Sequence, residues 1–270
     1  MMRLYLNGIG VLGPGLVGWP HVQRILAGTL AYDQSLAIPD PTPTCLKPNE
    51  LRRSSHIVRW SLTVAQEAIE QAQSEPQNLA TIFSSSGGET DILHNICLSL
   101  CEAEPVLSPT LFHHSVHNAA AGYWSIAVQS QQPSISLSCY DSSFCGGLLE
   151  AAVFCTTQNT PALLVSYDLP PPHPLFEARP LVNPFAIALV MSSEYVPQSL
   201  STLDVTLHHR KIESSNRMTN DALERLRLGN PAARALPLLA GLAQQQDQKK
   251  IILDYLDDQQ LALEINPCLS

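Results

Sequence analysis

Pro133-Ser134-Ile135-Ser136-Leu137-Ser138-Cys139-Tyr140-Asp141-Ser142-Ser143-Phe144-Cys145-Gly146-Gly147 is the stretch on which the fold turns. From Ser134 to Cys139, Ile and Leu alternate with small polar residues, a pattern that predicts a buried strand. Small and polar residues follow, and the spacing of Leu148, Leu149, Ala152 and Val153 then predicts a helix. A strand that turns sharply into a helix projects one side chain at the helix N-terminus, as several acyl-transfer folds present a nucleophile. Here the presented group is the Asp141 carboxylate.

Outward from this stretch, strands and helices alternate. Leu4 to Val11 reads as a first strand closed by Gly10, Gly13, Pro14 and Gly15. Pro39 to Pro48 holds four prolines and reads as an irregular connection. Ile57, Trp60, Val64, Ala65, Ala68, Ile69 and Ala72 recur at three and four residues, an amphipathic helix capped by Ser54 or Ser55. Leu79 to Ser84 is the next strand, with helices over Glu89 to Cys101 and Ala119 to Gln129. Strands are expected at Ala162 to Ser166, Phe185 to Ser192 and Leu203 to His208, with a proline-rich loop over Leu169 to Pro174. A helix over Asn220 to Leu228 stops at Gly229, and Asn230-Pro231 opens another. Ile251 to Tyr255 and Leu261 to Ile265 form a hairpin around Asp257-Asp258. This order is an α/β layout with a buried sheet.

At 270 residues the chain can bury a large core. A formal net charge of -9 argues against nucleic acid or anionic membrane as the principal partner. No apolar run approaches the roughly 18 residues of a membrane-spanning helix, and Met1 to Gly10 lacks the apolar core of a signal peptide. Seven cysteines without regular spacing fit a reducing, cytoplasmic setting better than a disulfide framework. Cys97 and Cys101 would share a helix face, but no second pair completes a zinc site. The His113, His114, His117 cluster lacks the spacing and glutamate of a helical zinc motif, so the expectation is no metal and no cofactor.

Four stretches carry a family resemblance. They are Leu51-Arg52-Arg53-Ser54-Ser55-His56, then Ile82-Phe83-Ser84-Ser85-Ser86-Gly87-Gly88, then Ser108 to Phe112 with Ser115 to Asn118, Ala121-Gly122 and Ser125-Ile126, and the stretch quoted first. In this order they resemble the β-ketoacyl-acyl-carrier-protein synthases of the thiolase-like fold, over roughly residues 51–194. The resemblance implies an α/β fold, thiolase-like and layered α/β/α/β/α, with a truncated C-terminal half. It makes residues 1–270 one domain: 1–194 an N-terminal half with the dimer interface, 195–270 a shortened C-terminal part.

By the same resemblance Asp141 stands at the position of the family's nucleophilic cysteine. A carboxylate at a helix N-terminus is stabilised in its charged form and is a weak nucleophile, and its attack on a thioester would give a higher-energy mixed anhydride. Asp141 is therefore expected to cap the helix starting near Ser143. Cys139 and Cys145 are expected to be buried, inert thiols. The family's two enolate-stabilising histidines have no counterpart after residue 195, where only His208 and His209 occur. No catalytic residue is expected.

The pattern is similar to the short chain-length-factor subunits of aryl polyene clusters. That likeness implies a non-catalytic subunit that pairs with an active ketosynthase as a heterodimer and shapes its acyl tunnel. Phe112, Ser115, Val116, His117, Asn118, Ala119 and Tyr123 would border the tunnel and interface. Ser134, Ile135, Ser136, Leu137, Ser138 and Cys139 would form the interface strand. Acyl carrier protein would dock mainly on the partner. Arg52, Arg53 and Arg59 are either a basic patch for it or a solvated helix start. The competing reading is a stand-alone acyl-thioester decarboxylase or hydrolase using Ser142, Ser143 or Asp141.

Overall fold

A computed structural model describes residues 1–268. Its first strand, β1 (Met2–Gly13), runs on past Gly10 and is buried from Leu6 onward. Gly10 does not close it, contrary to expectation. Gly8 and Gly10 are needed where α3 (His56–Ala72) crosses the strand, because a Cβ there would lie 2.0 Å from the carbonyl oxygens of Ala68 and Val64 respectively. Two α3 side chains hold β1 in place: Gln71 Oε1 accepts Ile9 N–H at 2.8 Å, and Glu67 Oε2 accepts Val11 N–H at 3.0 Å. Gly10→Ala is expected to destabilise the chain by about 1–3 kcal/mol or more, since backbone must move to relieve the overlap. Equilibrium denaturation measures this directly.

Ser55 caps α3 by accepting Val58 N–H at 3.1 Å, and Gln73 ends it in the left-handed conformation at φ 50°. β2 (Leu16–Val17), α1 (Trp19–Leu26) and α2 (Pro48–Arg53) were not legible as elements. The remaining order is β3 (Ala80–Ser84), α4 (Thr90–Leu100), α5 (Pro109–His114), α6 (Ala119–Val128), β4 (Ser134–Leu137), α7 (Ser143–Gln158), β5 (Ala162–Asp168) and α8 (Leu175–Ala178). It closes with β6 (Phe185–Ser192), β7 (Ser201–His208), α9 (Asp221–Gly229), α10 (Leu236–Gln244), β8 (Lys249–Asp254) and β9 (Gln260–Pro267).

The described strands form a nine-stranded mixed sheet in the order β4-β3-β5-β6-β1-β7-β9-β8, with β2 paired to β1. β3 is parallel to β4 and β5, and β6 onward is antiparallel. One face carries α3 and α6, packing Val64, Trp124, Phe83 and Tyr167; the other carries α1, α7 and α10, packing Ile82, Leu148, Leu164 and Leu239. The layered α/β class implied by the sequence is present. After β6, the strands β7, β9 and β8 form an antiparallel run joined to β1 through β7, with α9 and α10 between β7 and β8 in sequence.

One strand departs from expectation. β4 stops at Leu137, and its residues are exposed or half-buried rather than buried. The reason is position: β4 is the sheet edge, bonded only to β3 among the described residues. Thr81 N–H donates to Pro133 O and Ser85 N–H to Leu137 O. The odd-numbered backbone groups therefore face β3, and those of Ser134 and Ser136 point away from it.

Candidate functional site

The elbow after β4 is built by Ser143. Its Oγ donates to Tyr140 O at 2.7 Å and accepts Cys139 N–H at 3.0 Å, closing a 3-10 turn over Tyr140–Ser142. Tyr140 takes the left-handed conformation at φ 52°. This turn swings Asp141 outward, so it does not cap α7; the N-cap is Ser142, with no side-chain bond. Asp141 Oδ1 instead accepts from Arg179 at 2.7 Å, and the same guanidinium lies 3.7 Å above the Tyr140 ring. The elbow is thus clamped by a cation from the segment after α8. Thirty-eight residues separate the pair, and nothing in the local pattern announced Arg179.

No described hydrogen bond joins Asp141, Ser142 or Ser143 to an imidazole. Cys139 is half-buried rather than buried. Cys145 is buried as expected; its Sγ donates to Asp254 O at 3.3 Å, and burial pushes its thiol up to about 12. A thiol so disfavoured as thiolate is no nucleophile at neutral pH.

Two grooves that share Asn118 and Gly122 lie on the α6 face. The larger, 750 Å³, runs between α2, α5 and α6 and is lined by Phe112, Val116, Asn118, Ala119 and Tyr123 among others. The smaller, 480 Å³, joins His117, Asn118 and Gly122 to Ser134 and Ser136 at the sheet edge. Ser115 lines neither, because its hydroxyl turns back to donate to Phe112 O at 2.8 Å. Ile135 and Leu137 alternate to the opposite face of β4, while Ser138 Oγ donates to Ser86 O at 3.3 Å. His117 Nε2 lies 3.0 Å from Ser85 O. The three clustered histidines do not converge, and no described group of three or more His, Cys, Asp or Glu is arranged to hold a metal. Of the three arginines, Arg53 borders the large groove, while Arg59 ties α3 to α2 by donating to Leu51 O at 2.9 Å.

Two buried carboxyls behind the grooves escaped notice in the sequence. Asp168 Oδ1 accepts from Ser86 N–H at 2.8 Å, Ser86 Oγ at 2.7 Å and Ser85 Oγ at 3.1 Å. Its Oδ2 has no hydrogen-bond partner among the described residues. Burial outweighs these hydrogen bonds and pushes Asp168 up to about 6. Glu89 accepts from the Ser55 hydroxyl, and burial pushes it up to about 7. Both folded values lie above the unfolded ones, so the folded chain binds more protons and stability rises as pH falls. Urea resistance is expected to increase from about pH 8 to about pH 5.5, the window of these two groups. Glu89→Gln and Asp168→Asn should flatten that slope.

Residues 31–252 match the family model described as β-ketoacyl synthase, N-terminal domain. No curated protein sequence matches. Solved structures do. A chain of the ketosynthase (ApeO) in complex with its chain length factor (ApeC) from Xenorhabdus doucetiae aligns with a TM-score of 0.73 at 22% identity, over 98% of this chain and 100% of that chain. The ishigamide ketosynthase/chain length factor aligns at 0.72 and 11% identity, over 99% and 100%. A type II PKS acyl-carrier protein in complex with its ketosynthase bound to the hexaketide aligns at 0.72 and 13% identity, over 99% of each chain. At such identities the likeness is one of fold. No described helix is long and apolar enough to cross a membrane.

Proposed function

We propose that this chain, which belongs to the β-ketoacyl synthase N-terminal domain family, is a chain-length factor. In this reading residues 1–270 form one ketosynthase-like unit that pairs with a catalytic ketosynthase and shapes its acyl tunnel, in aryl polyene or related fatty-acid-like synthesis. The observation that carries it is the elbow. Where a ketosynthase needs a thiolate to hold an acyl group, this chain has Asp141 locked to Arg179 with no imidazole bonded to it.

Two surface features support the pairing. The β4 edge has backbone donors and acceptors without a described partner, an arrangement that invites a further strand. Three exposed apolar side chains, Phe112, Val116 and Ile126, line one groove on the α6 face. A surface of this kind fits a protein interface. Acyl carrier protein, which is acidic by the family resemblance, would meet the partner in preference to a chain of net charge -9. A stand-alone thioester hydrolase finds no support here: the Ser143 hydroxyl donates to Tyr140 O, Asp141 accepts from Arg179, and no described hydrogen bond links either serine to a base.

Co-expression with candidate ketosynthases, followed by size-exclusion chromatography, tests the reading. A 1:1 complex is expected; a monodisperse monomer that ignores every ketosynthase offered would refute it. In the assembled complex, Asp141→Asn and Asp141→Ala should leave condensation essentially intact. Loss of the half-exposed ion pair should cost no more than about 1 kcal/mol. Abolished turnover in a still-assembled Asp141→Asn complex would give the carboxylate a chemical role.

A further inference from the structure

β1 and β7 part at Leu6. They pair from Met2 to Leu6, Leu200 N–H donates to Leu6 O at 2.8 Å, and β1 continues beyond β7 to Gly13. The Ile9 and Val11 N–H groups, which face away from β6, go to Gln71 and Glu67 of α3 instead of to β7. At this split lies a cavity of 210 Å³, with an apolar wall of Trp19, Leu242 and Ile265 from α1, α10 and β9. Ser201 lines it, only 4% exposed, on the face of β7 that also carries Leu203 and Val205 into the core with α1 and α10. Its hydroxyl has no hydrogen-bond partner among the described residues.

Gln71, which also lines the cavity, has its carboxamide orientation fixed. Its Oε1 accepts Ile9 N–H at 2.8 Å, a role the NH2 end cannot take. Nε2 therefore carries its two hydrogens away from Ile9, and no described hydrogen bond uses them. Ser201 O–H and Gln71 N–H are thus donors in one cavity without a described acceptor. A carbonyl oxygen supplies the acceptor they lack, and a site built to hydrogen-bond a group rejects the analogue without it. No charged side chain lines the cavity. The Glu67 carboxylate, one helical turn before Gln71 and accepting from Val11 and Trp19 N–H, disfavours an anion there. The volume is below the roughly 300 Å³ at which drug-sized pockets begin, so the occupant is small. We infer that this cavity is a binding site for a small neutral carbonyl compound, a ketone, ester or amide, held by the Ser201 and Gln71 donors with its apolar body against Trp19, Leu242 and Ile265. None of the lining residues belongs to α5, α6 or β4, so the site is separate from the pairing surface proposed above.

Three probes of one shape test it, titrated into the full chain and followed by NMR: acetophenone, α-methylstyrene, in which a CH2 replaces the carbonyl oxygen, and benzoate, in which the acceptor is charged. Acetophenone should bind roughly three- to tenfold more tightly than α-methylstyrene and more tightly than benzoate. Ser201→Ala should remove most of that preference without weakening α-methylstyrene. Gln71→Glu, which keeps an acceptor for Ile9 N–H but loses the two donors, should reduce it as well. A Ser201 with a purely structural role would leave the preference untouched. Gln23→Trp, at a half-buried lining position on α1, should block all three probes and so place them in this cavity; thermal unfolding verifies that each variant is folded. Equal binding of acetophenone and α-methylstyrene, or no binding of any probe, leaves Ser201 facing water alone and overturns the inference. So does a carbonyl preference that survives Ser201→Ala, a preference for benzoate, or binding that ignores Gln23→Trp.

Discussion

Ser136→Pro is expected to abolish assembly with a ketosynthase while leaving the chain folded. Ladder geometry directs the Ser136 N–H away from β3, so a proline there removes a donor that only a neighbouring chain could use. The partner's orphaned carbonyl costs about 1–3 kcal/mol, roughly five- to hundredfold in affinity, and the ring adds a steric barrier across the edge. Ile135→Pro is the control. It removes a donor facing β3, so it should lower the denaturation midpoint of the chain itself. Size-exclusion and thermal unfolding of both variants separate the two effects. Unimpaired assembly of Ser136→Pro would place the interface elsewhere.

The second large effect concerns product length. Phe112 and Val116 stand on the rim of the 750 Å³ groove, and Ala119 lines it from α6. A conjugated polyene is rigid and cannot fold around an obstruction. Phe112→Ala or Val116→Ala in the assembled complex should therefore shift the product distribution to longer chains, and Ala119→Trp should shorten products or stop elongation. Mass spectrometry of the released chains reads the outcome. Because Phe112 and Val116 are exposed in the isolated chain, their truncation should cost little stability, unlike truncation in a packed core. Unchanged distributions across all three assembled variants would leave the chain a scaffold without a length-setting role.

The carboxylate at the elbow is visible in one line of sequence, but the local pattern predicts the wrong partner for it. Asp141 before a helix satisfies the general pattern of a cap. The Ser143 hydroxyl wins that local competition by binding Tyr140 O and Cys139 N–H, and the resulting turn sends the carboxylate to Arg179. The family resemblance expects Phe112, Val116, Ala119 and Tyr123 to border a tunnel, and in the structure they line one groove. The division of labour among them, with the Ser115 hydroxyl turned back to the Phe112 carbonyl and Phe112 and Tyr123 lining the groove, follows from how α5 and α6 are placed. Asp168 and Glu89 carried no sequence signal, because burial depends on what packs over a residue.

What the chain's own order of residues determined is local: where apolar spacing of two or three to four places strands and helices, where Ser55 and Asn220 start a helix, and therefore the α/β class. Periodicity reports which side of an element avoids water, and that is a property of neighbours in sequence. Only the tertiary structure decided that β4 is an edge rather than a centre, that Gly8 and Gly10 are contact points for α3, and that Arg179 reaches Asp141. Each of these depends on pairing between segments tens of residues apart, where the deciding quantity is which surfaces are left without a partner once the sheet has closed its hydrogen bonds.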